Sequence, residues 1–430
     1  MKTSINADRS QWSELLKRPL FSVAELSSKV QLVLDEIRKD GISAIRKYTE
    51  RFDGVLLDEI TVSEKEIAEA VSLVDSELQE AIKVAAGNVR KFHESQFPVS
   101  KKIETTQGVV CWQKAVAIEK VGLYIPGGSA PLFSTVLMLA IPARIAGCRE
   151  IVLCTPPDKS GKINPAILFA AKLVGVTKIF KVGGIQAIAA MAYGVGDVPK
   201  VAKIFGPGNQ YVMAAKQLVS NSDVAIDMPA GPSEVAVMAD SSANPAFIAA
   251  DLLSQAEHGP DSQVILVTND QALVGKVEEE ISRQLRDLPR KEIAEKALAN
   301  STAIVLKNEG EMIDLINEYA PEHLIISMKN YHDIAEKITN AGSVFLGNYT
   351  PESAGDYASG TNHTLPTNGW ARSFSGVNLD SYLKKITFQE ISQEGMKNLG
   401  PTIEKMASAE QLDAHKNAVS LRLKEIRNSN

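Results

Sequence analysis

Cysteine is scarce in this 430-residue chain, with three in all: Cys111, Cys148 and Cys154. None forms a Cys-x-x-Cys pair, which excludes a disulfide framework and a thiolate zinc cage. They sit in or beside apolar segments with no activating histidine close in sequence, so they read as buried, inert thiols rather than nucleophiles. A basic surplus is missing as well. Lys and Arg total 46 against 52 Asp and Glu, a net charge of -6, so nucleic acid and acidic membrane surfaces are poor candidates as partners. Long hydrophobic runs are also absent. The most apolar stretch, Val136 to Ala143, is interrupted by Pro142 and closed by Arg144, far short of the ~20 residues that span a bilayer. Met1 to Arg9 hold no apolar stretch of the secretory kind. A reducing cytoplasm is the expected setting.

What is present is an ordinary globular mixture, 44% hydrophobic and 23% charged, able to build a core without staples. The length allows two or three units at about 100–200 residues each. The first hundred residues read as mostly helical. A helix near Val30 to Lys39 ends at Gly41, a favoured C-cap residue. Ser63 and Glu66 make a capping box. Ile67, Val71, Val74, Leu78, Ile82, Ala85 and Val89 then follow at steps of three and four, predicting one long amphipathic helix.

From Val116 the texture changes to short apolar runs alternating with amphipathic segments. Lys120–Tyr124, Glu150–Cys154, Lys178–Val182 and Val201–Phe205 read as strands, with helices near Ser134–Ala146, Pro165–Val174, Gln186–Tyr193 and Gln210–Val219. The pattern resumes with strands at Glu234–Met238, Gln263–Val267, Thr302–Leu306, His323–Ile326 and Ser343–Leu346. Such alternation predicts an α/β fold with parallel sheets and right-handed crossovers. A loop-rich passage over Gly347 to Gly376 follows, and the tail from Ser381 reads as helical.

Six histidines stand out by their rarity. His258 falls in the last turn of a helix that ends at Gly259-Pro260, three residues after Gln255, so amide and imidazole share a face. It can be a ligand or a C-terminal histidine favoured by the helix dipole. Asp356 and His363 lie in the Gly-rich loop, where an Asp is either a reaching carboxylate or a turn former. His415, five residues after Glu410, lies on a helix whose ordinary reading is a solvated face. Glu322 and His323 stand at the lip of a strand as a candidate acid/base pair. Strand neighbours face opposite ways, so both serve one site only at an irregular strand start. His93 and His332 carry no assigned role. Two glycine loops, Tyr124-Ile125-Pro126-Gly127-Gly128 and Gly206-Pro207-Gly208-Asn209, each join a strand to a helix and can bring N–H groups to a phosphate. Neither is the dinucleotide fingerprint, because Tyr211 stands where a third glycine belongs. Residues alone point to a metal-assisted α/β enzyme.

Taken together, these segments resemble the histidinol dehydrogenase family. Seven blocks fall in family order: Val121–Gly128, Gly206–Asn209, Pro229–Glu234, Ser254–Pro260, Pro321–His323, Gly355–His363 and Ala409–His415. The resemblance implies two incomplete Rossmann-like domains with parallel sheets. A helical segment over 1–24 would be followed by a discontinuous α/β domain over 25–120 and 235–377. A second α/β domain over 121–234 would carry the NAD loops, and 378–430 would form a helical tail. It further implies oxidation of L-histidinol to L-histidine with two NAD and one zinc ion per subunit. Gln255, His258, Asp356 and His415 would bind zinc and, with Ser233, His323 and Glu410, the substrate. His323 would be the base, Glu322 would activate water, and Tyr124, Gln186 and Asn209 would hold NAD. The family is a homodimer whose tail completes the partner's site.

Three rivals remain at this point. A zinc hydrolase could use His258, Asp356 and His415 as ligands and Glu322 to activate water. A dehydrogenase could pass through a cysteine thiohemiacetal. A non-catalytic binding module would leave the acid/base pair unexplained.

Overall fold

The computed structural model describes residues 1–19, 23–127 and 130–428. Its contacts divide into two compact units, Met1–Gln96 with Ile118–Ser381, and Phe97–Ala117 with Tyr382–Asn430.

The first unit opens on strand β1 (Lys2–Ile5) and helix α1 (Arg9–Leu15), followed by α2 (Val23–Asp40), α3 (Ile42–Asp53), α4 (Glu64–Leu73) and α5 (Ser76–Glu94). The expected 1–24 segment is therefore not wholly helical. Lys2–Ile5 pairs in parallel with a later strand through backbone groups. Its polar sequence hid it, because a sheet-edge strand needs no apolar face. The long helix expected after Ser63 is two helices. The capping box at Ser63 is present, but Val74 is extended and the Asp75 carboxylate caps Leu78 at 2.9 Å, starting α5 afresh.

A five-stranded parallel sheet comes next, built from β4 (Lys120–Tyr124), β5 (Glu150–Thr155), β6 (Lys178–Lys181), β7 (Lys203–Phe205) and β8 (Ala225–Ile226). Between them run α6 (Phe133–Ala146), α7 (Pro165–Val174), α8 (Gly184–Tyr193) and α9 (Gln210–Ser220). The strand order is β6-β5-β4-β7-β8. The chain thus winds outward from β4 in one direction and then in the other, which opens a crevice at the carboxyl ends of β4 and β7. Helices α2 to α5 pack on α6 to α9, whereas the sequence reading grouped 25–120 with 235–377.

The second parallel sheet contains β9 (Glu234–Ala239), β10 (Gln263–Thr268), β11 (Thr302–Val305), β12 (His323–Ser327) and β13 (Ser343–Leu346). Its order, β1-β11-β10-β9-β12-β13, repeats the same outward winding from β9. Between these strands run α10 (Pro245–Ala256), α11 (Gln271–Gln284), α12 (Lys291–Ala299), α13 (Glu309–Tyr319) and α14 (Tyr331–Ala335). Val235 and Val237 pack into one apolar cluster, Ala236 and Met238 into another. Both faces are covered, as the unbroken apolar strands require. A six-residue helix, α15 (Glu352–Tyr357), interrupts the stretch read as loop.

In the second unit, β3 (Val109–Ala117) lies between β2 (Ile103–Thr106) and β14 (Leu383–Ile391) and pairs with both, and α16 (Gln393–Ala409) and α17 (Asp413–Asn428) follow. The tail is therefore not helical from Ser381. Nine residues of β14 run antiparallel to β3, and Trp112 stacks on Phe388 with ring centroids 5.3 Å apart. Polar residues on both faces of β14 masked its alternation. Among the described residues, no helix is long and apolar enough to cross a membrane.

Candidate active site

The start of β12 is where the acid/base pair sits. Ala320 ends α13 in the left-handed region at φ +52°, and the chain turns straight into Pro321-Glu322-His323. Both side chains then address the backbone of one residue, Glu234, at the start of β9. The Glu234 N–H donates to the Glu322 carboxylate at 2.8 Å. The Glu234 carbonyl lies 3.1 Å from Nδ1 of His323. Glu322 and His323 approach to 3.6 Å, so the irregular strand start does let both serve one site. Glu234 is itself buried and gripped by Arg18, whose Nε donates to one carboxylate oxygen at 2.5 Å and whose second nitrogen donates to the other at 2.9 Å.

Nε2 of His323 has no hydrogen-bond partner among the described residues and stands 3.6 Å from the Asp356 carboxylate. Burial pushes Glu322 up to about 8. For His323 burial works the other way, but Glu322, Glu352 and Asp356 outweigh it and raise the imidazole to about 10.

Beside His323, the donor atoms of His258, Glu352 and Asp356 all lie within 4.8 Å of one another. His258 follows the end of α10, while Glu352 and Asp356 sit one turn apart on α15 and so face the same way. Burial holds His258 below its ordinary value. Burial alone would raise Asp356, but the facing His323 ring and the His363 and His258 imidazoles hold it down. Gln255 is 1% exposed; the amide orientation that satisfies both ends turns its nitrogen to Glu352 and its oxygen to the Glu234 N–H at 3.1 Å, a hydrogen shared with the shorter bond to Glu322. An imidazole, an amide and carboxylates, graded from exposed His258 through half-buried Asp356 to buried Glu352 and Gln255 and converging, form a donor set for a divalent ion.

A second region lies at the crevice of the five-stranded sheet. Tyr124, Gln186 and Asn209 all line a cleft of 1340 Å³. The Tyr124 hydroxyl accepts from the Gly184 N–H at 3.2 Å. Gln186 donates to Asp53 at 3.3 Å, and its buried Oε1 has no partner among the described residues. The Asn209 oxygen caps α9 through the N–H groups of Tyr211 and Val212. Gly206, at φ +125°, lies so close to the Tyr124 carbonyl that any Cβ would collide with it. Buried Lys216 fixes this loop, donating to the Gly206 carbonyl at 2.8 Å and to Asp227 at 2.5 Å. Gly127 lines the cleft too, while Gly128 lies outside the described residues.

The sequence profile of the family described as histidinol dehydrogenase matches residues 16–423. The chain belongs to the histidinol dehydrogenase family. A Bacteroides thetaiotaomicron histidinol dehydrogenase is 63% identical over 423 residues, 98% of this chain and 99% of the relative. A chloroplastic histidinol dehydrogenase of Arabidopsis thaliana is 53% identical over 97% of this chain and 90% of its own length. The crystal structure of histidinol dehydrogenase from Elizabethkingia anophelis superposes with a TM-score of 0.97 at 57% identity, covering 99% of both chains. The two-sheet α/β architecture is therefore that of the histidinol dehydrogenases, a family of oxidoreductases in histidine biosynthesis.

Of the residues singled out from the sequence, Gln255, His258, Glu322, His323 and Asp356 come together, and Ser233 immediately precedes Glu234. Glu410 and His415 are not in this group. Both are exposed and lie in the second unit, Glu410 at the C-cap of α16 and His415 on α17. His363 is spoken for: one ring nitrogen lies 2.8 Å from the Asp356 carbonyl and the other 3.0 Å from the Thr135 hydroxyl. It holds the turn rather than a ligand. Three residues escaped the sequence reading: Glu234, Arg18 and Glu352. Only Glu352 had a signal, its four-residue spacing from Asp356.

Proposed function

We propose that this chain oxidises L-histidinol to L-histidine through the aldehyde, passing two hydrides to two NAD, with one zinc ion per subunit orienting the substrate. The observation that carries the reading is the buried Nε2 of His323, without a hydrogen-bond partner among the described residues and facing Asp356 beside His258. A basic nitrogen held against a metal donor set is what alcohol oxidation at an oriented substrate needs.

Gln255, His258 and Asp356 would hold the zinc, with His415 of a homodimeric partner's tail as the fourth ligand. The compactness of the donor atoms of His258 and Asp356, within 4.8 Å of one another, and their chemistry fit that ion. When bound, zinc supplies a positive template for the amine and imidazole of the substrate. Ser233 and Glu410 would contact substrate. Tyr124, Gln186 and Asn209 would hold NAD, a fit supported by the Gln186 oxygen, which has no partner among the described residues, and by the crevice position of the cleft.

In the first oxidation His323 Nε2 takes the hydroxyl proton as hydride leaves the carbinol carbon for NAD. With the charge of Asp356 committed to a cation, His323 loses part of the field that raises it and returns toward the neutral imidazole a base requires. Glu322 then removes a proton from water as its oxygen adds to the aldehyde carbon, while protonated His323 returns its proton to the carbonyl oxygen, giving the hydrate and a neutral imidazole. His323 takes one hydroxyl proton of the hydrate as the second hydride departs for NAD, leaving the carboxylic acid, which ionises to the carboxylate. The three free cysteines accord with a cytoplasmic setting.

A spectrophotometric assay tests this reading: two NADH should form per histidine, and only when histidinol is present. Hydrolysis of an amide with no NADH would instead favour the zinc hydrolase.

A further inference from the structure

Glu352 stands in the donor set, yet the four ligands proposed above leave it without a task. It opens α15 and is 1% exposed. One carboxylate oxygen accepts from the Ser254 hydroxyl at 3.1 Å. Both oxygens face the amide nitrogen of Gln255, whose own oxygen accepts from the Glu234 N–H at 3.1 Å.

A glutamine amide has two ends of nearly equal size and opposite character. Only the oxygen can serve as a metal ligand. Turned the other way, the amide would set its oxygen against the Glu352 carboxylate and its N–H groups against the Glu234 N–H. Both contacts are repulsive. An acceptor on one side and a donor on the other therefore leave one orientation. Glu352 meanwhile accepts from the Ser254 hydroxyl and faces the Gln255 nitrogen.

Resting on the zinc reading above, we infer that Glu352 is a positioning residue for the metal site, one that holds the Gln255 nitrogen so that the oxygen is the coordinating end. It acts through Gln255 and is not a ligand itself. Partners of this kind orient metal-binding side chains, and their loss weakens metal affinity by about 10- to 100-fold.

A double-mutant cycle on zinc affinity, read by competition with a chromophoric chelator on the full-length protein, tests the inference. Glu352→Ala and Gln255→Ala should each weaken zinc binding by about 10- to 100-fold. The double variant should bind no more weakly than Gln255→Ala alone, since nothing is left to orient. Glu352→Gln keeps the volume and one acceptor, so it should recover part of the loss, and it replaces Glu352→Ala in the cycle if that variant does not fold. Multiplying losses would make Glu352 a ligand and overturn the inference, as would unchanged affinity in Glu352→Ala. His258→Ala is the separate control: if it retains zinc, the metal site itself is misread, whatever Glu352 does.

Discussion

Nδ1 of His323 faces the backbone carbonyl of Glu234 at 3.1 Å, and a carbonyl can only accept. Nδ1 therefore carries the proton in the neutral ring, and Nε2 has the lone pair that a base needs once a cation on Asp356 lets the imidazole return to neutrality. The N–H of that same Glu234 holds Glu322, so one residue sets both members of the pair.

The two members are separable by their steps. Glu322→Gln should slow oxidation of the aldehyde by about 10²- to 10⁴-fold, the usual worth of general acid–base catalysis. Oxidation of the alcohol should suffer much less, so rapid-mixing experiments should show a first NADH outrunning the second. His323→Gln should slow both. Equal losses of both oxidations in Glu322→Gln would remove the carboxylate from its water-activating role.

Arg18 and Glu234 predict a stability effect far from any surface pair. Their side chains are 14% and 2% exposed, and Arg18 also lies 4.0 Å over the Tyr319 ring and donates to the Tyr319 carbonyl at 2.8 Å. Arg18→Met leaves a buried carboxylate uncompensated, at a cost of about 3–5 kcal/mol. Adding Glu234→Gln should return part of it, because the stranded charge is gone. Urea unfolding of the two variants checks the order.

If Glu410 and His415 reach the partner's site, two inactive variants should complement each other. Mixing His258→Ala with His415→Ala, after unfolding and reassembly, gives half mixed dimers, each with one intact site. About a quarter of the parent activity should return. Ligands supplied within one chain would give none.

The thiols should be dispensable. Burial pushes Cys148 up to about 12 and Cys154 higher still, so neither supplies a thiolate near neutral pH. Replacing Cys111, Cys148 and Cys154 together by Ala should leave kcat within about threefold of the parent, the scatter expected of core adjustment. Loss of turnover in a folded triple variant would revive the thiohemiacetal route.

Periodicity made the α/β core legible: the strands at 120–124 and 343–346 were placed to the residue, because both are short apolar runs between turn signals. It failed where tertiary pairing overrides local pattern. Lys2–Ile5 and Leu383–Ile391 are strands without an apolar face, and Asp75 starts a new helix inside an unbroken apolar stripe. At the site, chemistry-bearing residue types could be named from sequence. Glu234 could not, since its main role is played by backbone atoms, and Arg18 could not, since its partner is 216 positions away.

The central claim is a division of labour between metal ligands and proton-handling groups. Zinc per subunit, measured alongside histidinol turnover in four alanine variants, tests it most directly. His258→Ala and Asp356→Ala should lose metal and activity together, while Glu322→Ala and His323→Ala should keep the metal and lose the rate. Four variants that behave alike, all zinc-free or all zinc-replete, would contradict it.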